Sequence, residues 1–248
     1  LGRHREATEA IRTSMTLLDL VDDADEALFV SLSAAVVLAE SGAVGDALAA
    51  LDRTEATQHG LGLARVFIQR GYVLHHAGEL REALLALDRA DQLLGVGASD
   101  TDRFRLLVNR GLVLLQHGQL DAAEADLRSA RTLAASGGYW SFEAISAANL
   151  GVLHARGRRI AESMRCFSEA RHLYARAGEP ARTVAIMQID YAETLLHQGI
   201  VADAVEAARQ AVRLIEPTGN QVILGDAYLM LARALLASGD QRHAVTTA

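Results

Sequence analysis

A pair of glycines recurs along this 248-residue chain, with about 40 residues between one pair and the next. The segment 110–130, RGLVLLQHGQLDAAEADLRSA, aligns without gaps with 70–90, RGYVLHHAGELREALLALDRA. The first glycine of the pair, Gly111, lies among strong helix formers, where a glycine costs about 1 kcal/mol relative to alanine. Its recurrence at Gly71 favours a packing role over chance. The second glycine, Gly118, is typical of a turn between two helices.

Weaker copies extend the repeat over the rest of the chain. They lie at 34–54, 150–170, 191–211 and 231–248, and the second half of another copy opens the chain. The turn positions are 2, 42, 78, 118, 158, 199 and 239. Each unit therefore reads as two amphipathic helices, with a small residue in the first helix facing a large one in the second. The small positions are 35, 71, 111, 151, 192 and 232, and the large ones are 51, 87, 127 and 167.

This repeat predicts an all-α fold, since no stretch alternates with the period of two that marks a strand. Pro180 and Pro217 fall at junctions between units, where helices begin or end. Asp100 or Thr101 is expected to cap the helix that follows. The predicted helices are 4–21, 25–41, 44–58, 61–77, 80–94, 101–117, 120–135, 140–156, 160–177, 180–198, 201–215, 220–238 and 241–247.

The pattern resembles the tetratricopeptide repeat (TPR), on the matches at Gly71, Gly78, Ala83, Leu87 and Ala90 and their equivalents. It departs from that family in its period of about 40 rather than 34 residues and in lacking the family's tryptophan. The resemblance implies a right-handed superhelical solenoid of antiparallel helix pairs. We expect one such domain over 1–248, with about six repeats plus a partial N-terminal one and with both ends cut from a longer polypeptide.

In the TPR family the first helices line a concave groove, so the resemblance implies a peptide-binding site here. The expected groove residues are Arg65, Ile68, Gln69, Tyr72, His76, Arg105, Val108, Asn109, Leu112, Gln116, Asn149, Val152, Asp190 and Glu193, with Asp226, Leu229, Met230 and Arg233 in the last unit.

Three features of this groove suggest how a peptide would bind. The aliphatic side chains, Ile68 among them, are expected to form an apolar row, although they would serve equally well as packing between neighbouring first helices. Equivalent carboxamides at Asn109 and Asn149 can donate and accept at once. Arginines early in the groove and carboxylates later would set the direction of the bound chain.

The remaining signals exclude several classes of function. The net charge of −7 argues against a generally basic nucleic-acid surface, and no apolar run reaches the ~18–20 residues of a membrane span. The single cysteine, Cys166, fits a reducing, cytoplasmic compartment. His75 and His76 are adjacent, so their side chains diverge on a helix and form no metal site. With no phosphate-binding or nucleophile motif, we expect no cofactor and no enzyme in this fragment.

Two functions remain open. The first is a scaffold that binds a protein, as a peptide or a helix, in the concave groove. The second is a regulatory module for a missing domain of the same polypeptide. The stretch 167–215 is similar to the repeats that precede caspase-like CHAT peptidase domains in actinobacterial proteins, and repeats of bacterial transcriptional regulators look similar too. The complete lack of lysine also fits a GC-rich bacterial genome.

Overall fold

The computed structural model describes Ile11, Thr13 and residues 23–239, and this part of the chain contains α-helices and no strand. The all-α prediction is therefore confirmed for the described residues. The predicted helices 4–21 and 241–247 lie outside them, apart from Ile11 and Thr13. The helices are α1 (Ala24–Glu40), α2 (Val44–Glu55), α3 (Gly60–His76), α4 (Leu80–Leu93), α5 (Asp100–Gln116), α6 (Leu120–Ser136), α7 (Trp140–Arg156), α8 (Ile160–Ala177), α9 (Ala181–His197), α10 (Val201–Ile215) and α11 (Gln221–Ala237), with a short 3₁₀ helix at Glu216–Thr218.

The chain folds as two compact units, Leu1–Ser129 and Ala130–Ala248. In unit 1 the first helices of successive pairs, α1, α3 and α5, stack side by side, and α2 and α4 pack against them. In unit 2 the helices α7, α9 and α11 stack in the same way, with α8 and α10 as their partners. A single solenoid running through both units stays a prediction.

The repeat predicts packing glycines at the small positions of three first helices, and the structure confirms them at Gly71, Gly111 and Gly151. Each of these three lies so close to the large residue of the paired helix that a β-carbon would collide with it. A β-carbon added at Gly71 would lie 2.5 Å from Leu87 Cγ, one at Gly111 would lie 2.9 Å from Leu127 Cγ, and one at Gly151 would lie 2.8 Å from the Phe167 ring. Because Leu87 and Leu127 are fully buried, these contacts set how closely the two helices of a pair approach.

The turns use a left-handed residue to end each first helix. Gly118 has φ +86°, and Gly42, Gly78, Gly199 and Gly239 have similar values. The α7–α8 turn differs, because its glycine, Gly157, stands one place early with φ −77°. The left-handed position is therefore taken by Arg158, with φ +58°. A side chain in this region costs roughly 1–2 kcal/mol.

The start of α5 corrects one prediction. The cap is Ser99, not Asp100 or Thr101. The Ser99 hydroxyl accepts from the Asp102 backbone N–H at 3.1 Å, and the Asp102 carboxylate accepts from the Ser99 N–H at 3.3 Å. This reciprocal capping box has the S-x-x-D spacing, which is readable in the sequence.

An arginine just before each packing glycine of unit 1 joins neighbouring helix pairs. Arg70 of α3 donates to Asp52 and Glu55 of α2, each at 2.7 Å. Its side chain is largely buried against the preceding pair, so the contact adds a specific polar link to the apolar packing of α2 on α3.

Arg110 makes the equivalent link one repeat later, also within unit 1. It donates to Asp91 of α4 at 2.8 Å and to both carboxylate oxygens of Asp126 of α6, at 2.7 and 3.1 Å. A third carboxylate, that of Asp88, lies 3.6 Å away. The hydrogen bond with Asp126 is the main reason that the pKa of Arg110 is raised. The guanidinium therefore ties α5 to helices on both sides.

Candidate peptide-binding surfaces

The stacked first helices of unit 1 form a groove with a cavity of about 330 Å³. Three turns of helix contribute, one from each of α1, α3 and α5, because residues three or four apart lie on one face of a helix. We call this surface the unit 1 groove. It is lined by Phe29, Leu32, Ser33, Val36, Ile68, Gln69, Tyr72, Arg105 and Asn109.

One wall of the groove is apolar and open to solvent. Phe29 of α1 is 72% exposed, and Leu32 and Val36 beside it are half-buried. Ile68, at 4% exposure, forms the floor. An exposed phenylalanine continuous with further aliphatic groups is typical of a binding surface rather than of a face that only meets water.

The opposite wall is polar and presents groups that lack partners. Arg105 and Asn109 of α5 form no hydrogen bond or ion pair with any described residue. The Gln69 Nε2 group is buried and also has no hydrogen-bond partner in the described part of the chain. A buried donor without an acceptor costs about 1–3 kcal/mol. An acceptor supplied by a ligand would recover that free energy.

Two of the expected groove residues, Arg65 and Val108, do not line the unit 1 groove, and a third, Ile68, lines it only as a buried floor. Arg65 donates to Asp102 through two nitrogens, at 2.8 and 3.0 Å, so it is held by the capping box of α5. Burial opposes ionisation of Asp102, but hydrogen bonds from Arg65 and Ser99 outweigh it and lower the pKa of that carboxyl. Val108 is only 7% exposed and Ile68 only 4%, so the expected row of exposed aliphatics is wrong at these two positions. The reason is that α3 and α5 pack directly on each other and cover them.

The end of α3 carries a small polar cluster. The rings of Tyr72 and His76 lie 4.4 Å apart, and the Tyr72 hydroxyl is 3.4 Å from the Glu40 carboxylate. Burial lowers the pKa of His76, with Glu40 acting in the opposite direction. The pKa of His75 is lowered by burial and by His76, against a hydrogen bond with Gln116. These groups lie at the end of the first helices, beyond the lining of the unit 1 groove except for Tyr72.

In unit 2 the carboxylates predicted from the repeat do come together. Asp190 and Glu193 of α9 line a cavity of about 500 Å³ with Val152 and with Arg158 of the strained turn. They also line a second cavity, of about 270 Å³, on the side of α11. Its other lining residues are Ile186, Ile189, Ile223, Asp226, Leu229, Met230 and Arg233.

Asn149, expected to act with Asn109, does not line either of these cavities. Leu112 and Val152 are half-buried and Gln116 is exposed. The structure thus brings Asn109 to the unit 1 groove and Asp190 and Glu193 to the unit 2 cavities.

The two central carboxylates of unit 2 differ in their partners. Arg233 donates to Glu193 at 3.1 Å. Asp190 makes no hydrogen bond or ion pair with a described residue. Burial, and secondarily the charge of Glu193, raises the pKa of Asp190 to about 7. A carboxyl this perturbed in a cleft is a candidate functional group.

The sequence prediction missed the contribution of α1. Phe29, Leu32, Ser33 and Val36 precede or follow Ala35, the small residue of the first complete copy, at the same spacings as groove residues around Gly71. The register of the repeat was sufficient to find them, even though this copy is among the weaker ones.

No metal site is found in the described residues, since no three His, Cys, Asp or Glu side chains there are close enough to share an ion. Cys166 is buried in α8, at 9% exposure. None of the described helices is long and apolar enough to cross a bilayer.

Comparison with known proteins defines the fold. No family model matches the chain, and no curated protein matches it either. Solved structures do match. A Rap protein, solved as a complex with Competence and Sporulation Factor, has a TM-score of 0.76 at 14% identity over 99% of this chain and 70% of that one. A putative kinesin light chain of Podospora anserina with TPR-like repeats has a TM-score of 0.56 at 18% identity over 77% and 93%.

A third structure places similar repeats within a longer protein. A signal transduction ATPase with numerous domains (STAND) from Pyrococcus horikoshii, which has a tetratricopeptide repeat sensor, has a TM-score of 0.65 at 15% identity. The match covers 96% of this chain but 38% of that one. The structural neighbours are thus TPR proteins, and the fold is a TPR-like helical repeat.

Proposed function

We propose that this chain is a protein-interaction scaffold that binds an extended peptide segment in the unit 1 groove. The observation that carries the proposal is the pairing of exposed Phe29 with the buried, unpartnered Gln69 Nε2 in one groove. An apolar side chain of the peptide packs on Phe29, while a peptide carbonyl accepts from Gln69 and another from Asn109. The chain acts by binding and is not itself a catalyst.

The structural neighbours support this class of function. The Rap protein was solved as a complex with Competence and Sporulation Factor, and the match to it covers 99% of this chain and 70% of the Rap chain. We infer from the shared fold that the stacked first helices are the surface most suited to hold a peptide, because they present side chains of several successive repeats along one line.

A second proposal concerns where the peptide comes from. As the alternative, we propose a regulatory role in which the bound segment belongs to the same polypeptide; the STAND protein is an example of similar repeats that form the sensor of a longer protein. Neither a CHAT peptidase nor a transcriptional regulator is among the three matches described above, so the effector domain is left unspecified. The experiment below detects the groove in either case.

The test is a selection of random 12-residue peptides displayed on phage against the purified chain. Selected peptides are then labelled with fluorescein, and their Kd values are measured by fluorescence anisotropy. We expect Phe29→Ala and Asn109→Ala each to weaken binding about tenfold, which corresponds to 1.4 kcal/mol, with an unchanged melting temperature.

The matched control is Leu85→Ala, which truncates another exposed apolar side chain, 63% exposed on α4 and outside the groove. It should leave the Kd unchanged. Recovery of no binding peptide, or equal affinity for the parent chain and both groove variants, would refute the proposal.

A further inference from the structure

We propose that unit 2 contains a second site, a pocket between α9 and α11 that receives a basic side chain and is centred on Asp190. The inference rests on the proposed function in one respect, that the basic group belongs to a bound peptide. The pocket itself shares no residue with the unit 1 groove.

The first step is the state of Asp190. Its carboxyl group borders both cavities of unit 2 and has no hydrogen-bond or ion-pair partner among the described residues. The nearest carboxylate on its own helix, Glu193, is already engaged by Arg233. An ionised carboxylate that is half-buried and has no counter-charge is costly, so a cation bound beside Asp190 would stabilise its ionised form.

The second step is the shape and chemistry of the walls. The cavity beside α11 combines aliphatic side chains, Ile189 and Leu229 among them, with polar groups at one end. Leu229 is 60% exposed, so part of the apolar surface faces solvent. Arginine and lysine have this same division, with an apolar stem and a charged head. A short acid or an uncharged aliphatic side chain would match only half of the pocket.

The third step is the balance of charge, which also sets the side of entry. The α9–α11 cavity has three carboxylates, Asp190, Glu193 and Asp226, against the one guanidinium of Arg233. The cavity on the α7 side has Arg156, Arg158 and His197 opposite the same two α9 carboxylates. The basic head group therefore enters between α9 and α11, where three carboxylates outnumber the single guanidinium, which is already paired with Glu193.

The same set of neighbours predicts a dependence of binding on pH. Asp190 shares its two cavities with Glu193 and His197 of its own helix, with Arg156 at the end of α7 and Arg158 of the α7–α8 turn, and with Asp226 and Arg233 of α11. It also interacts with Tyr174 of α8, whose pKa is raised by burial and then by the charges of Glu179 and Asp190. Since its free pKa is about 7, a cation that needs the ionised carboxylate displaces a proton on binding at lower pH. Affinity should rise about tenfold from pH 6 to pH 8, as the ionised fraction of the free group rises.

The probe is Nα-acetyl-arginine methylamide, compared with Nα-acetyl-citrulline methylamide, which has nearly the same shape and no charge. Binding to the whole chain is followed by ¹⁵N–¹H NMR at pH 8. We expect saturable shifts centred on α9 and α11 for the arginine compound and at least tenfold weaker binding of the citrulline compound.

Two variants complete the test. Asp190→Asn should remove the preference for arginine over citrulline, and Asp203→Asn, the same change at an exposed residue of α10, should preserve it. Circular dichroism confirms that each variant is folded. Equal binding of the two compounds to the parent chain, no saturable binding, or an unchanged preference in Asp190→Asn would overturn the proposal.

Failure of this pocket and failure of the unit 1 groove give different results. Phe29→Ala should leave binding of the arginine compound unchanged. If the phage selection yields no groove-dependent peptide but the arginine preference depends on Asp190, only the groove proposal is lost. If selected peptides depend on Phe29 while citrulline binds as well as arginine, only the pocket is lost.

Discussion

Replacing Gly71 with alanine adds a single methyl group at the tightest helix contact of the repeat. The new β-carbon would lie 2.5 Å from Leu87 Cγ and 2.7 Å from its Cδ2. Ordinary contact begins near 3.4 Å, so Leu87 or one of the two helices must move. Leu87 is fully buried, so its side chain cannot relieve the clash by moving into solvent.

Two opposing effects set the size of the change. Alanine favours the helix over glycine by about 1 kcal/mol, while overpacking of a core costs about 1–3 kcal/mol. At Gly71 we expect the clash to win, with a net loss of about 1–2 kcal/mol in the free energy of unfolding. At Gly111 the approach is 2.9 Å, so Gly111→Ala should be close to neutral, whereas Gly111→Leu should lose about 1–3 kcal/mol.

Gly225 provides the control. It also lies inside a helix, α11, but an added β-carbon there meets no atom within 4 Å. Gly225→Ala should therefore stabilise the protein by up to about 1 kcal/mol. The same substitution, glycine to alanine in a helix, is thus predicted to have opposite signs at two positions because of packing alone.

The assay is urea denaturation followed by circular dichroism at 222 nm. Coupling with Leu87→Ala tests the cause directly, since removal of the leucine side chain should abolish the penalty of Gly71→Ala and make the double variant more stable than additivity predicts by about 1 kcal/mol or more. If Gly71→Ala is as stable as Gly225→Ala, or if Gly71→Ala and Leu87→Ala are additive, the packing account is refuted.

Three further substitutions test features away from this contact. Arg158→Gly should raise the unfolding free energy by about 1 kcal/mol, because glycine adopts φ +58° without the steric cost. Arg110→Met should lower it by about 2 kcal/mol or more, since Asp126, whose side chain is only 14% exposed, loses its counter-charge. Asp190→Asn should remove a pH-dependent loss of stability: the folded carboxyl keeps its proton up to about pH 7 but the unfolded one releases it near 3.8. The native state therefore binds more protons between these values, and stability falls as pH rises. The shift corresponds to at most about 4 kcal/mol, and partial exposure of the group reduces our expectation to about 1–2 kcal/mol.

The free energy of unfolding of each variant is measured by urea denaturation and compared with that of a control substitution of the same kind. Arg156→Gly, in the last turn of α7, should not stabilise, because that residue is already helical. Arg128→Met removes a more exposed arginine, 63% exposed, and should have a much smaller effect than Arg110→Met. Asp203→Asn should keep the parent slope between pH 4 and pH 8. Equal effects within any of these three pairs would contradict the corresponding explanation.

Most of the fold could be predicted because the repeat supplies several independent signals in one register. The turn glycines locate helix ends to within three residues, the largest difference being α2, which ends at Glu55 rather than at 58. Its last turn tightens there, as the Thr57 N–H bonds to the Thr54 carbonyl three residues back. The close pairs such as Gly111 with Leu127 follow from the same register.

The site was harder to predict because it depends on contacts between repeats. Whether Ile68 and Val108 face solvent depends on how closely α3 and α5 pack, which their own spacing along the chain does not specify. Arg65 fits a groove position by register, yet Asp102, 37 residues away, holds it. The lack of a partner at Asp190 is likewise visible only once the neighbouring helices are in place.

Two junctions between repeats in unit 1 share one arrangement, in which an arginine of a first helix, Arg70 or Arg110, pairs with acids of the preceding second helix. Relative to the turn glycines Gly42 and Gly78, the acids Asp52 and Glu55 of α2 are the repeat equivalents of Asp88 and Asp91 of α4. An in-frame loss of residues 71–110 would join Arg70 to Gly111, leaving a guanidinium between the α2 acids and Asp126. Whole repeats can therefore be deleted or duplicated at this point without leaving a charge unmatched, so the length of such an array can change in evolution by unequal recombination while each junction stays intact.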